Sequence, residues 1–210
     1  MKDNKCIGCI ARQRMKPIVP VKRKAASDVH IPKPFRFITD FVTGEKIPDV
    51  GAEANRQTIE RLLLTEKGYT KKDIEVDAPL EVTIGNEPYR SSVDLVISVD
   101  GTRYMVIKCA PGSLGSRERE IVSAARLLDE YQIPVSVVSD GKTAVVLDSV
   151  SGKKIGEGLD AIPSKKALQE TANSLELQPL PEKRLDREKL IFRSYDSMNV
   201  NVGRNVSPNQ

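Results

Sequence analysis

Two charged residues, Asp94 and Lys108, stand in stretches of sequence that are otherwise apolar and β-branched. Val93–Val99 and Arg103–Ala110 are typical of two strands, and the dipeptide Asp100-Gly101 between them favours the positive backbone angles of a tight hairpin. Burying a charged group is costly unless a partner, a metal or a ligand compensates it. Asp94 and Lys108 are therefore candidates for chemistry, with a salt bridge or a solvent-facing edge as the alternative.

The register of this hairpin decides whether Asp94 and Lys108 can act together. Side chains alternate between the faces of a sheet, and directly opposed residues of an antiparallel pair share a face. A two-residue turn opposes Asp94 to Ile107 and turns Lys108 to the other face. A three-residue loop over residues 99–101 opposes Asp94 to Val106. Lys108 then shares the face of Asp94, and a nearby bulge has the same effect. We expect the three-residue loop, because the other register strands a lysine on an apolar face.

The composition is that of a globular domain with appendages. The chain has 210 residues, of which 39% are hydrophobic and 30% charged, and it contains no Trp. No apolar run approaches the roughly 20 residues that a membrane span requires, so we expect a cytoplasmic protein without a membrane partner. Three cysteines cannot all pair, and Cys109 falls in a predicted core strand, which argues against a disulfide framework.

Residues 1–35 are predicted to form a basic arm. The first 24 positions contain eight basic residues and one acidic residue, Asp3, and four prolines interrupt the segment. Such an arm suits nucleic acid phosphates, although a solvated, disordered leader explains it equally well. Cys6 and Cys9 have the spacing of half a zinc site, but a reduced pair without metal is the simpler interpretation.

The remaining elements predict an α/β fold over residues 36–165, with a mixed sheet flanked by helices. The order is helix, three strands, helix and two strands, with a crossover after the hairpin. Residues 166–210 are expected to be a helical and then disordered tail. The predicted elements are a helix from Ala52 to about Lys67, a strand Ile74–Ile84, the hairpin, a helix Arg117–Tyr131, strands Ile133–Val138 and Thr143–Asp148, and helices Ser164–Leu175 and Glu182–Phe192.

Four short stretches carry a family resemblance. They are Gly51–Gln57 at the start of the first helix, Ser92–Val96 on one strand, Val106–Pro111 on the next, and Val138–Gly141 after the second helix. In this order and spacing they resemble the N-terminal nuclease domain of type I restriction enzyme restriction subunits, within the PD-(D/E)XK superfamily. The likeness covers about residues 47 to 164. It implies a restriction-endonuclease-like fold that hydrolyses DNA phosphodiester bonds.

The resemblance also implies a divalent metal site. In such relatives a helix Glu, a strand Asp and a following Glu-x-Lys gather around the metal, and these positions transfer to Glu53, Asp94 and Lys108. Asp94 and a second carboxylate would hold Mg²⁺ through hard oxygen ligands. Lys108 and Glu53 would have catalytic roles, Lys108 by orienting the attacking water and offsetting charge on the phosphorane.

The sequence departs from this pattern at Val106, which occupies the position of the usual acid and can bind no metal. Some superfamily members carry the missing carboxylate on the following helix. Glu118 or Glu120 could therefore restore it, and we expect them as metal ligands. The alternative is that both carboxylates merely interact with the dipole at the start of that helix.

The expected partner is DNA, with Arg56, Gln57, Arg117 and Arg119 as candidate contacts at the starts of the two helices. A homodimer or other restriction-modification subunits are further possible partners implied by the resemblance. The alternative function is a degenerate nuclease fold that binds nucleic acid or a protein without cutting. The chain contains no P-loop signature, so ATP-driven translocation would have to come from another chain.

Overall fold

The computed structural model describes residues 36–198. The expected basic arm of residues 1–35, its cysteine pair and the tail beyond residue 198 lie outside this range. The elements in chain order are β1 (Phe37–Thr39), β2 (Lys46–Pro48), α1 (Glu53–Thr65), β3 (Ile74–Ile84), β4 (Glu87–Val99), β5 (Thr102–Cys109), α2 (Glu118–Leu127), β6 (Val135–Ser139), β7 (Ala144–Asp148), β8 (Lys154–Glu157), α3 (Lys165–Ala172) and α4 (Glu182–Asp196).

The predicted mixed sheet flanked by helices is confirmed. Strands β3 to β8 form one six-stranded sheet in sequence order, and β1 pairs with β2 in a separate hairpin. Only β5 and β6 are parallel neighbours in the large sheet, and α2 is the crossover between them. Strand β8, which the sequence did not predict, adds an edge to the sheet.

Helices cover both faces of the large sheet. On one face lie α1 and α3, where Leu63 packs in the same cluster as Ile107. On the other face lie α2 and α4, where Ile121 and Phe192 share a cluster with Val106. Strand β5 is thus buried on both sides, which explains its nearly continuous apolar sequence. Lys108 is the charged exception in its buried part.

The hairpin between β4 and β5 has a two-residue turn, so the expected three-residue loop was wrong. Val99 pairs with Thr102, and the intervening Asp100 and Gly101 have φ angles of 51° and 84°. Two consecutive left-handed residues are what a type I′ turn requires, and its twist matches that of the flanking strands.

A bulge in β5 nevertheless places Lys108 on the same face of the sheet as Asp94, as predicted. Ile97 pairs with Met105 while Ser98 pairs with Arg103, which leaves Tyr104 as the additional residue. The register beyond the bulge places Asp94 opposite Lys108, so both side chains point toward α2. The prediction that these two residues share a face is confirmed, although by the bulge and not by the loop.

A second irregularity lies beside Asp94, in β3. Asp77 is opposite Asp94 in the register and has a φ of 52°, a left-handed conformation that is uncommon outside glycine. Val76 packs with the α1 cluster, whereas Ala78 packs with the α2 cluster, although residues two apart normally share a face. The regular alternation of side chains along β3 is therefore interrupted at Asp77, next to the candidate site.

Helix α4 packs antiparallel against α2 and closes one side of the fold. Phe192 is buried in the α2 cluster, and its ring meets that of Tyr89 edge to face at 6.2 Å. Burial of such a side chain contributes on the order of 2–3 kcal/mol. Glu188 is also buried, between Ser123 and Arg126 of α2. Between residues 36 and 198, no helix is long and apolar enough to cross a membrane.

Candidate active site

Lys108 lies at the centre of a buried cluster between the sheet and α2. Its Nζ is 3.0 Å from Oε1 of Glu120 and 3.6 Å from Oδ1 of Asp94. Burial alone would lower the pKa of Lys108, but Asp94 and Glu120 outweigh it and hold this pKa above its ordinary value. Lys108 is therefore a fixed cation near neutral pH, and a proton donor or acceptor role for its amine is disfavoured.

The two carboxylates are positioned by further groups. The backbone amide of Cys109 donates to Oδ2 of Asp94 at 2.7 Å, which fixes this carboxylate at the end of β5. Arg117 donates to Oε2 of Glu120 at 3.2 Å from one helical turn before it. Each carboxylate thus presents one oxygen toward Lys108 while its other oxygen is bound elsewhere.

The structure distinguishes the two acids that the sequence left open. Glu120 is 2% exposed and faces Lys108, whereas Glu118 lies at the rim of a separate groove between α2 and α4. The difference follows from helical geometry, because residues two apart on a helix point in very different directions. Val106 lies in the apolar cluster beneath α2, so Glu120 is the acid that approaches Lys108.

Glu53 belongs to a second buried cluster, at the start of α1. Arg56 is its centre and contacts Glu53 at 2.8 Å and Asp40 at 3.1 Å. Gln57 donates to both of these carboxylates, and its own side-chain oxygen accepts the amide of Phe41. Arg56 is only 2% exposed, which leaves little surface for the DNA contact expected of it.

Glu60 completes the Arg56 cluster and is the member whose hydrogen bonding is least satisfied. Its carboxylate lies 3.3 Å from Arg56, yet neither of its oxygens has a hydrogen-bond partner with good geometry among the described residues. Burial raises the pKa of Glu60 to about 7, although Arg56 opposes the rise. This group therefore changes its charge near neutral pH.

Two contacts connect the α1 region with the strands that carry the Lys108 cluster. Asn55 donates to the carbonyl of Ala110, two residues beyond Lys108, at 3.0 Å. Arg56 reaches Asp77, which lies opposite Asp94, at 3.9 Å. The structure thus joins Asp94, Lys108 and Glu120 directly, and connects Glu53 to the same end of the sheet through Arg56 and the start of α1.

The other two candidate DNA contacts lie at the start of α2. Arg119 is exposed, and its Nη1 is 3.1 Å from the Tyr195 hydroxyl. Arg117 is partly exposed and also donates to the backbone carbonyl of Tyr195 at 3.3 Å. Tyr89 donates to Asp196 at 2.7 Å. These contacts hold the last turn of α4 next to Glu120.

Sequence reasoning missed several members of this region. Asp77 had a signal, because it interrupts the apolar alternation of its strand, but Asp40 follows a short strand and had none. Asp196 was placed in the expected disordered tail, whereas the structure ends α4 at that residue. Packing explains the fourth stretch of the family resemblance, Val138–Gly141. Gly141 has a φ of 82°, and a Cβ there would lie 3.2 Å from Cα of Asn55.

The donor set determines which metal the Lys108 cluster could hold. Within the described range, no group of three or more His, Cys, Asp or Glu side chains is arranged to hold a metal ion. Mg²⁺, however, is commonly bound by one or two carboxylates and completes its shell with water and substrate phosphate. Asp94 and Glu120 each direct one oxygen at the same cation, the Lys108 ammonium, so the described residues offer two carboxylates at this point.

Comparison with known proteins places the chain in a family. Residues 51–163, more than half of the chain, match the family described as type I restriction enzyme R protein N terminus. The matched segment includes the Lys108 cluster and the α1 members of the Arg56 cluster but not Asp40, and it ends before α3 and α4. No curated protein and no solved structure matches the chain.

Proposed function

This chain belongs to the family of type I restriction enzyme R protein N termini, and from that premise we propose that it is a Mg²⁺-dependent DNA endonuclease domain. The observation that carries the proposal is the position of Lys108, within 3.6 Å of Asp94 and 3.0 Å of Glu120. A lysine beside two carboxylates can serve metal-assisted phosphodiester hydrolysis, because the carboxylates can bind a divalent metal and the ammonium can offset growing negative charge. Glu120, from α2, replaces the acid that is missing at Val106.

Each residue of the cluster has a distinct role in this proposal. Asp94 and Glu120 would hold the metal, and a Mg²⁺ ion bound there would supply Lewis-acid chemistry at the scissile phosphate. Lys108 remains protonated, so it orients the attacking water by donating hydrogen bonds and offsets the charge that grows on the phosphorane. Glu53 acts from α1 as a positioning residue, because it is held by Arg56 and Gln57.

The cluster is closed in this conformation, which sets a condition on catalysis. Lys108 is only 7% exposed, and Asp196 at the end of α4 is close enough that its charge helps to raise the pKa of Lys108. A DNA phosphate can reach Lys108 only when this last helical turn moves aside. The body of α4 stays in place during this movement, because Glu188 and Phe192 anchor it to α2 and the sheet.

The same burial favours a second candidate function, a nuclease fold that binds DNA or a partner protein without cutting. In that case Lys108 is the counter-ion of two buried carboxylates and has a purely structural role. The two functions differ in one measurable property, the hydrolysis of DNA in the presence of a divalent metal. Restriction-modification subunits are the partner proteins that the family suggests, and association of two copies is a further proposal.

Cleavage of supercoiled plasmid in Mg²⁺ or Mn²⁺ tests the proposal with three matched variants. Asp94→Asn retains an oxygen for the Cys109 amide, and Glu120→Gln retains the shape of the side chain. We expect each to lower the cleavage rate about 10²-fold or more. Glu118→Gln is the control, since it removes a carboxylate from the same helix but not from the Lys108 cluster. Thermal unfolding verifies that all variants are folded.

A second readout concerns the metal itself. Titration calorimetry with Mn²⁺ should show binding that Asp94→Asn and Glu120→Gln weaken and Glu118→Gln does not. A wild-type protein that binds DNA but cuts none with either metal would establish the binding module in place of the nuclease. Full cleavage by Glu120→Gln would reject Glu120 as the replacement for the missing acid.

A further inference from the structure

A groove of about 550 Å³ lies between α2 and α4, outside the Lys108 cluster. Its floor is formed by Val122, Ser123 and Leu147, and its walls carry arginines from both helices. Arg119 and Arg126 are seven positions apart on α2, about 10 Å along the helix axis. Arg184 and Arg187 follow on the facing surface of α4.

The charges of the groove do not cancel. Four arginines line it against two carboxylates, Glu118 and Glu188, which leaves a formal charge of 4 − 2 = +2. Glu188 is shared, because it binds Arg126 at 3.0 Å and Arg184 at 3.2 Å. Arg126 also donates to the carbonyls of Ser149 and Val150, which carry no net charge. One buried carboxylate therefore holds two guanidinium groups in place while leaving excess positive charge.

The two exposed arginines have donors to spare. Arg119 uses one nitrogen for the neutral Tyr195 hydroxyl, and a guanidinium has five N–H donors. The Arg187 side chain is exposed, and it forms no ion pair or hydrogen bond within the described part of the chain. Guanidinium groups bind phosphate through paired hydrogen bonds, and a fixed neighbouring pair orients them.

We propose that this groove binds the phosphodiester backbone of DNA, through Arg119 and Arg187, alongside the Lys108 cluster. The proposal rests on the proposed function for the identity of the ligand. Arg119 is the connection between the two sites, since it adjoins Glu120 in sequence and contacts Tyr195 on the turn that covers the cluster. One wall of the groove, α4, lies beyond residues 51–163, so the groove is not a feature of the matched family segment.

Salt-dependent binding of the full chain to a random-sequence DNA duplex tests the groove. The double variant R119Q/R187Q removes two phosphate contacts, whereas K71Q/K166Q removes two exposed charges from elements that do not line the groove. Each phosphate contact contributes about 0.9 to the slope of log K against log salt concentration. We expect the groove variant to lose about 2 from this slope and to raise Kd about tenfold at 0.1 M salt. The control should change neither quantity by more than half as much.

The outcomes separate this proposal from the nuclease assignment. If R119Q/R187Q and K71Q/K166Q bind DNA alike, the proposal that the groove binds DNA is overturned, even when the wild-type protein cleaves DNA. If the wild type binds DNA but cleaves none, the nuclease assignment fails. The salt slopes of the two double variants then still decide whether the groove binds DNA. A wild type without affinity for duplex DNA overturns the groove directly. As a second check, R187K should recover the slope that R187Q loses, because it keeps the charge.

Discussion

Lys108 lies opposite Asp94 across the β4–β5 hairpin, with 3.6 Å between its Nζ and Oδ1 of the carboxylate. The two-residue turn alone would have opposed Asp94 to Ile107 and directed Lys108 into the apolar cluster beneath α1. The additional residue at Tyr104 shifts the register and reverses this outcome. A backbone irregularity four residues away therefore determines whether the lysine and the aspartate can share one site.

The first prediction concerns the stability that Lys108 provides. Lys108→Met leaves the buried carboxylates of Asp94 and Glu120 without their shared cation, so we expect a loss of about 3–5 kcal/mol in the free energy of unfolding. Urea denaturation at pH 8 measures it. Lys142→Met, at an exposed position, is the control and should change stability by less than about 0.5 kcal/mol.

A triple variant separates the ion pairs from the packing of the lysine side chain. Lys108→Met combined with Asp94→Asn and Glu120→Gln removes both negative charges as well, so part of the lost stability should return. An unchanged unfolding midpoint in the single Lys108→Met variant would contradict the buried ion pairs.

The second prediction concerns pH and Glu60. The pKa of Glu60 rises from 4.5 to about 7 on folding, so the folded state binds more protons than the unfolded state between these values. Stability attributable to Glu60 therefore falls as pH increases from about 4.5 to 7. This rise in the pKa of Glu60, from 4.5 to about 7, corresponds to about 3 kcal/mol. Glu60→Gln should remove this slope and stabilise the protein at pH 8.

Differences between variants isolate this effect from other acids. Asp40 and Glu188 have pKa values below their ordinary range, because hydrogen bonds and cations outweigh burial, and they lower stability only at more acidic pH. Glu66→Gln, at an exposed position just beyond α1, is the matched control and should keep the wild-type pH profile. Parallel profiles for wild type and Glu60→Gln from pH 5 to 8 would show that Glu60 stays ionised.

The order of elements could be predicted because hydrophobic periodicity and turn residues are local signals. Strand β3 was predicted with its observed bounds, and the crossover helix α2 follows from the small-residue loop after β5. A bulge near Asp94 was anticipated as an alternative to the loop, but its position could not be predicted, since Tyr104 occupies a strand position that suits any aromatic residue. The free-energy cost and gain of the bulge depend on the opposite strand, and the local sequence does not reveal which residues lie there.

The candidate site was predictable only in part for the same reason. Asp94 and Lys108 were conspicuous as charges among apolar residues. The choice of Glu120 over Glu118 depends on which side of α2 faces the sheet, a tertiary property. The interpretation of Arg56 as a DNA contact considered only its position near a helix start. The structure surrounds it with Asp40, Glu53 and Glu60.

The last prediction concerns access to the Lys108 cluster. Tyr89 donates a hydrogen bond of 2.7 Å to Asp196 and thereby holds the final turn of α4 over the site. Tyr89→Phe removes this bond but keeps the ring that packs on Phe192. We expect global stability to fall by about 1–2 kcal/mol, since the acceptor is charged. Amide hydrogen exchange at residues 194–196 should quicken more than exchange in the middle of α4, because the helix end opens locally.

Under the proposed function, the same substitution should also raise the rate of DNA cleavage several-fold, because the open state that admits a phosphate becomes more populated. Tyr104→Phe removes a hydroxyl from a residue that packs in the cluster beneath α1, on the other face of the sheet from α4, and it should leave both measurements at their wild-type values. If Tyr89→Phe quickens exchange at the helix end but does not raise cleavage, opening of this turn does not limit the reaction. Unchanged exchange would instead show that Arg117 and Arg119 alone are sufficient to hold the turn closed.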